Sequence, residues 1–277
     1  MHSKFGKQLL EAFESRGQLC VGIDPHASLL QSWGLPDSAE GVREFSLRVI
    51  DAASTRVGVI KPQVSFFERF GAAGFQVLAE VTNQAKEAGL LVIADAKRGD
   101  IGTTMDAYLE AWFGQSSGLY ADALTVSPYL GLGSISSGFE KWSNSGKGIF
   151  SLVATSNPEG ETVQLASLGG KSLAVSQLQQ LANLNGVADS LGSYGAVIGA
   201  TLDFDRFGIS LVPSNVPVLA PGFGAQGAEL SQAKRIFAGL SGQVCFSVSR
   251  SVLIAGKDGI VSAIDSANSE LRSGLAG

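Results

Sequence analysis

The chain has very little cysteine or histidine: Cys20 and Cys245 are its only thiols, and His2 and His26 its only imidazoles. Two cysteines far apart, each inside an apolar run, read as buried free thiols in preference to a disulfide. Neither histidine has a Cys or carboxylate partner at ligand spacing, so the sequence offers no metal constellation, and His26 reads as structural. A basic excess is missing too. Lys and Arg total 20 against 25 Asp and Glu, a formal charge of −5 with a pI near 5.1, so no global field recruits nucleic acid. Any anionic ligand must be held by local groups. No stretch approaches the length of a membrane span, and Met1-His2-Ser3-Lys4-Phe5-Gly6-Lys7 leads into an amphipathic, charged segment instead of an apolar signal core. These features predict a cytoplasmic protein with no membrane association. Low-complexity tracts, obvious internal repeats and a G-x-S-x-G elbow are absent as well, and the last leaves an α/β-hydrolase without support.

What the chain does have is apolar bulk and glycine: 277 residues, 45% hydrophobic, only 16% charged, with 35 Gly. That profile suits a compact α/β enzyme with many tight turns, and the length is close to the ~250 residues typical of an eight-fold barrel. Eight short β-like runs recur between helical patterns: Leu19 to Ile23, Val57 to Ile60, Leu91 to Ala94, Ala123 to Val126, Ile149 to Ala154, Ala196 to Ala200, Val216 to Leu219 and Val244 to Val248. Several are apolar throughout, as parallel strands covered on both faces should be. Between them, Phe75, Leu78, Val81 and Ala85 make a helical stripe closed by Gly89, and Ile260, Ile264, Ala267 and Leu271 make another. Asp37 followed by Glu40 resembles a capping pair for a helix burying Val42, Phe45 and Val49. No linker divides the chain, so residues 1–277 are expected to form one domain, an α/β single-domain (β/α)₈ TIM barrel, with an open doubly wound sheet as the competitor. The Gly- and Ser-rich stretches 127–147 and 157–171 follow strands and are candidate lids.

The stretch of most chemical interest is Leu91 to Ile101, where an apolar run stops at Asp95 and charges follow at D-x-K-x-x-D spacing. If the run is a strand, Asp95 and Lys97 point the same way and Asp100 lies beyond a Gly turn. Two carboxylates and an ammonium would then crowd one spot, each carboxylate raising the other's pKa. Other expected strands also end in polar groups: Asp24-Pro25, Lys61-Pro62-Gln63, Thr155-Ser156-Asn157-Pro158, the glycine-rich 221–227 and Ser249-Arg250. In a barrel these converge, placing two lysines and three aspartates around one mouth. The 221–227 loop reads G-x-G-x-x-G, but it comes late in the chain and the following strand carries no carboxylate, which argues against a dinucleotide site. Loops after the last two strands of a barrel commonly hold a phosphate through backbone N–H groups, and Arg250 adds a charge-assisted contact. The favoured ligand is a phosphorylated small molecule.

Taken together, Asp95-x-Lys97-x-x-Asp100-Ile101, the preceding Lys61-Pro-Gln-Val-Ser-Phe-Phe-Glu, and the following Ala220-Pro-Gly-Phe-Gly-Ala-Gln-Gly and Ser249-Arg250-Ser resemble the orotidine 5′-phosphate decarboxylase family, in the wording of its longer, bacterial type 2 branch. The resemblance spans all eight strands. It implies decarboxylation of orotidine 5′-monophosphate to UMP, the last step of de novo pyrimidine synthesis, with no metal or organic cofactor. Lys61, Asp95, Lys97 and Asp100 would form the charged catalytic array, Lys97 donating the proton to C6. Asp100, Ile101 and Thr104 would reach into the partner subunit's site, which implies a homodimer with shared active sites. Asp24 and Lys61 would contact ribose hydroxyls, Ser156 the pyrimidine, and Gln226 with Arg250 the phosphate. Two other readings compete. Mg²⁺-dependent sugar-phosphate decarboxylases and aldolases share D-x-K-x-x-D but place a carboxylate where this chain has Lys61, and a catalytically silent nucleotide-binding barrel would bind without turnover.

Overall fold

The computed structural model describes residues 4–187, 190–209 and 213–277, so His2 and the start of the N-terminal segment lie outside the described residues. Eight parallel strands close into a barrel: β1 Leu19–Ile23, β2 Val59–Pro62, β3 Leu91–Arg98, β4 Ala123–Val126, β5 Gly148–Ala154, β6 Tyr194–Ile198, β7 Val218–Ala220 and β8 Val244–Val248. The order around the barrel is the order along the chain, and β1 closes it by pairing Leu19 with Phe246 and Val21 with Val248. Closure excludes the open doubly wound sheet. A small antiparallel pair, Ser167–Leu168 with Lys171–Ser172, sits outside the barrel.

The strands are apolar throughout because both faces are buried. Along β1, Leu19, Val21 and Ile23 pack outward against the helices, whereas Cys20 points inward to join Val59, Ile93, Ala123, Phe150, Leu219 and Cys245. The N-terminal helix Phe5–Arg16 closes this interior from the N-terminal end with Phe5, Leu9 and Phe13. Phe5 stands edge-on to Phe150 at 5.8 Å. The first residue of β5 has to be glycine, since a Cβ on Gly148 would meet the Phe5 ring at 2.3 Å. With one end plugged by aromatics, the barrel is open to ligands only at the C-terminal ends of its strands. Cys20 and Cys245 are free and fully buried, in keeping with the thiol reading.

Several local expectations shift. β2 starts two residues later than expected and carries Lys61 as a strand residue, because pairing with β1 begins at Cys20–Val59. β6 lies earlier, at Tyr194–Ile198, and β7 later, after Pro217, which has no N–H to give a ladder. Ser38, not Asp37, caps the helix Ala39–Ala53, accepting from Gly41 N at 3.2 Å, while Asp37 pairs with Arg69. The candidate lid 127–147 is mostly the helix Leu132–Asn144, and 157–171 contains the helical turns Pro158–Gly160 and Glu161–Gln164. Gly89 does terminate the helix Gly71–Glu87 from the left-handed region, at φ 70°.

Candidate active site

The site is built where β3 departs from its ladder. Pairing with β4 slips between Ala94 and Arg98, so that Leu124 to Val126 span the same ladder as Ala94 to Arg98. At the slip Lys97 takes φ 51°, the one positive φ outside glycine among the described residues. For a residue with a Cβ this conformation costs about 1–2 kcal/mol. It also brings the Lys97 ammonium back over Asp95, two residues earlier.

Asp95 is almost fully buried, and its carboxylate accepts three contacts. Lys97 Nζ lies 2.6 Å from Oδ1 and Lys61 Nζ 3.0 Å from Oδ2. The Thr125 hydroxyl donates to Oδ1 at 2.9 Å, and the Gln63 amide reaches the backbone carbonyl at 3.3 Å. Burial alone would raise the Asp95 pKa, but the charges of Lys61 and Lys97 and their hydrogen bonds outweigh it and hold the carboxyl far below the usual carboxylate range. Lys61 is pushed the other way. Its burial favours the neutral amine, yet Asp95 and Asp24 beside it raise its pKa above the ordinary lysine value. Both therefore stay ionised at neutral pH.

Two expectations for this cluster are corrected. Asp95 is not raised by a second carboxylate, because Asp100 is not at the spot. The turn at Gly99 carries Asp100 away, and its carboxylate accepts only from the next N–H, Ile101 N at 2.8 Å, among the described residues. Ile101 is 60% exposed and Thr104 is exposed at the start of the helix Gly102–Phe113. None of the three lines the cavity of this chain.

That cavity, about 270 Å³, opens at the C-terminal ends of the strands. Its charged floor is Lys61, Asp95 and Lys97, its apolar wall Leu152, Val197 and Leu219. On one side Asp24 receives a hydrogen bond from Ser249 Oγ to Oδ2, and its Oδ1 is buried without a partner among the described residues. At the far end stand Gln226 and Arg250. The loop after β7 needs its glycines: Gly222 has φ 115°, and at Gly224, φ 74°, a Cβ would meet Ser251 at 2.5 Å. The N–H groups of Gly224, Gly227 and Ala228 bond within the loop. These three amides are therefore already engaged, and Gln226 and Arg250 offer side-chain contacts at that end. Arg250 makes no ion pair among the described residues.

Asp24, Lys61, Asp95, Lys97, Gln226 and Arg250 are thus brought together. Ser156 is exposed and does not line the cavity. Its neighbour Thr155 does, held by Gln164 through Thr155 N to Oε1 at 2.9 Å and Nε2 to Thr155 Oγ1 at 2.8 Å. Sequence reasoning missed Thr125, which lay inside an apolar run; its inward register on β4 was the available signal. His26 lies outside the charged cluster, its Nδ1 3.0 Å from Ser28 Oγ. Among the described residues, no group of three or more His, Cys, Asp or Glu side chains is placed to hold a metal ion, and no helix is long and apolar enough to cross a membrane.

Comparison with known proteins agrees with this geometry. A sequence model of the orotidine 5′-phosphate decarboxylase / HUMPS family matches residues 17–263. The orotidine 5′-phosphate decarboxylase of Streptomyces coelicolor is 49% identical over 256 residues, covering 92% of this chain and 91% of that protein. The enzyme of the same name from Salinispora arenicola is 45% identical, with 99% of each chain covered. Among solved structures, one from Streptomyces avermitilis provisionally named an orotidine 5′-phosphate decarboxylase superposes with a TM-score of 0.94 at 46% identity, covering 100% of this chain and 98% of that one.

Proposed function

The chain belongs to the orotidine 5′-phosphate decarboxylase / HUMPS family, and from that membership we propose that it converts orotidine 5′-monophosphate to UMP and CO₂, the last step of de novo pyrimidine synthesis. The observation that carries this reading is the ionised Asp95 held between two lysines on the floor of a cavity whose far end presents Gln226 and Arg250. Losing CO₂ from C6 leaves an electron pair in the ring plane, where the ring carbonyls cannot delocalise it. A cation already fixed beside that carbon is therefore the main means of stabilisation. Lys97 is the group with that reach: its side chain is 43% exposed to the mouth, against 7% for Lys61. It stabilises the developing carbanion and then donates its proton to C6. Asp95 holds the Lys97 ammonium in place through the 2.6 Å contact, and Lys61 helps keep Asp95 ionised.

Arg250 and Gln226 hold the phosphate and Asp24 with Lys61 the ribose, at a distance from C6. Binding energy from the phosphate end drives closure around the ring and exclusion of water, so its loss lowers turnover as well as affinity. The pyrimidine contact falls to the 155–156 segment, with Ser156 reaching the ring only if that loop moves. The active unit is a homodimer with residues 1–277 as one domain in each subunit, acting in the cytoplasm without nucleic acid or cofactor. Asp100, Ile101 and Thr104 enter the partner's site. Their absence from this chain's own cavity supports that arrangement, as does the exposure of Ile101 and Thr104.

The deciding experiment follows orotidine 5′-monophosphate spectrophotometrically with and without EDTA. Loss of the orotidylate absorbance at the same rate in both is expected. Turnover of a sugar phosphate that stops with EDTA would move the chain to the Mg²⁺-dependent barrels of the family, and UMP binding without turnover would make it a silent barrel.

A further inference from the structure

Thr125 sits on β4, is 1% exposed, and faces both chemical groups at the slip in β3. Its Oγ1 accepts from Lys97 N–H at 2.9 Å and donates to Asp95 Oδ1 at 2.9 Å. The direction of each contact is fixed. An ionised carboxylate can only accept and an amide N–H can only donate, so the single hydroxyl proton goes to Asp95 and an oxygen lone pair faces Lys97. The slip between Ala94 and Arg98 takes Lys97 out of the regular β3–β4 ladder, and the side chain of Thr125 supplies the acceptor that its buried-side N–H needs. The residue so held is the one non-glycine with positive φ among the described residues. A strained backbone persists only where its surroundings over-determine it. Here the over-determination comes from one hydroxyl bonded both to the strained residue and to that residue's own ion-pair partner.

We infer that Thr125 is a positioning residue for the decarboxylation, its hydroxyl coupling the left-handed backbone of Lys97 to the Asp95 carboxylate so that the ammonium is aimed into the cavity. The inference rests on the reading that Lys97 is the proton donor to C6. Valine has the shape of threonine but can neither accept from the amide nor donate to the carboxylate. Without that tie the backbone at Lys97 relaxes toward the β region and the ammonium moves off the reacting carbon, where a displacement of about 1 Å costs about 100-fold in rate.

The test measures kcat and KM for orotidine 5′-monophosphate, and UMP affinity by calorimetry, in wild type, Thr125→Val, Thr125→Ala and Thr125→Ser. The Val and Ala variants are expected to lose about 100-fold in kcat while UMP affinity stays within about twofold, because UMP binding does not need the aimed proton. The Ser variant, which keeps the hydroxyl, is expected to stay close to wild type. Wild-type kcat in Thr125→Val overturns the inference, as does a Ser variant as impaired as Val, or parallel losses of kcat and UMP affinity. Should Val prove unstable, Ala removes the hydroxyl without burying a new methyl and is read the same way. An inert wild type would instead overturn the decarboxylase reading. The backbone coupling is then read from a crystal structure of Thr125→Val: a return of the Lys97 φ to negative values supports it, and a φ that stays left-handed overturns it.

Discussion

Lys61 and Lys97 hold opposite oxygens of one carboxylate, at 3.0 and 2.6 Å from Asp95, but from different environments. Lys61 is buried and locked, whereas Lys97 is open to the mouth. The first serves chiefly as counter-charge to Asp95, and the second has the greater reach into the mouth. Removing one partner of a buried pair leaves an uncompensated charge and typically costs about 3–5 kcal/mol. Part of that is recovered here because Lys97 remains, so Lys61→Met is expected to lose about 2–3 kcal/mol in urea unfolding.

The pH dependence of that loss is a separate check. The folded pKa of Asp95 is depressed, so its contribution is present above the unfolded value of about 3.9 and disappears as pH falls below it. The gap between wild type and Lys61→Met should be widest above about pH 5 and narrow below about pH 4. Urea midpoints across that range read it, and a gap independent of pH would show that Asp95 is not the group Lys61 serves.

Ser249 and Asp24 give a binding prediction. The serine hydroxyl bonds Asp24 Oδ2 and Oδ1 has no partner among the described residues, so Ser249 alone orients that carboxylate toward the cavity. Hydrogen bonds to charged groups are worth about 1.5–3 kcal/mol. Ser249→Ala is expected to raise KM by about tenfold with kcat nearly unchanged. A fall in kcat at constant KM would place the pair in the chemical step instead.

Much of this was legible in the sequence, for physical reasons that also mark where legibility stops. Runs such as Leu19 to Ile23 and Val244 to Val248 are apolar on both faces, so they could be read as buried parallel strands with correct ends. Charges directly after such runs, Asp24, Lys61 and Asp95, had to meet at the mouth once the barrel closed. What could not be read depended on backbone geometry. D-x-K-x-x-D spacing suggested that Asp100 joins Asp95, but the turn at Gly99 sends it outward. Thr125 looked like one more strand residue because its role arises from the slip in the neighbouring strand. Asp37 and Ser38 are both good caps, and the arginine at position 69 that claims Asp37 is distant in sequence.

At the opposite end of the barrel, Lys147 makes a prediction independent of catalysis. It is buried, with its ammonium 2.7 Å from Ala121 O, 3.6 Å from Asp122 Oδ1 and 3.7 Å from the Tyr120 ring centre. Burial and nearby Lys86 outweigh the attraction of Asp122 and lower its pKa to about 8. A lysine depressed in the folded state binds its proton more tightly when unfolded, so stability rises as pH climbs from about 8 toward the ordinary value of about 10.4. The buried Cys245 thiol, whose pKa is raised by its hydrogen bond to Cys20 and by burial, opposes this over the same range. The clean measurement is therefore a difference: Lys147→Met should gain relative stability at pH 7, and that advantage should shrink by pH 10. An advantage unchanged with pH would mean Lys147 is not depressed.

The proposed sharing of active sites makes the sharpest prediction. Lys97→Ala alone is expected to abolish turnover with UMP binding still measurable, since no other ammonium in the cavity has its exposure. Asp100→Ala alone should also be nearly inactive, although Asp100 lies outside this chain's cavity, because each site of a homodimer would lack the partner's Asp100. In a heterodimer of the two variants, one site carries both defects and the other carries neither: the intact site takes Lys97 from the Asp100→Ala subunit and Asp100 from the Lys97→Ala subunit. Random mixing gives about half heterodimers, each with one working site of two, so activity should return to about a quarter of wild type. If Asp100 acted within its own subunit, both sites of the heterodimer would be defective and mixing would restore nothing. Mixing the two inactive proteins under subunit exchange and assaying decarboxylation separates the two geometries directly.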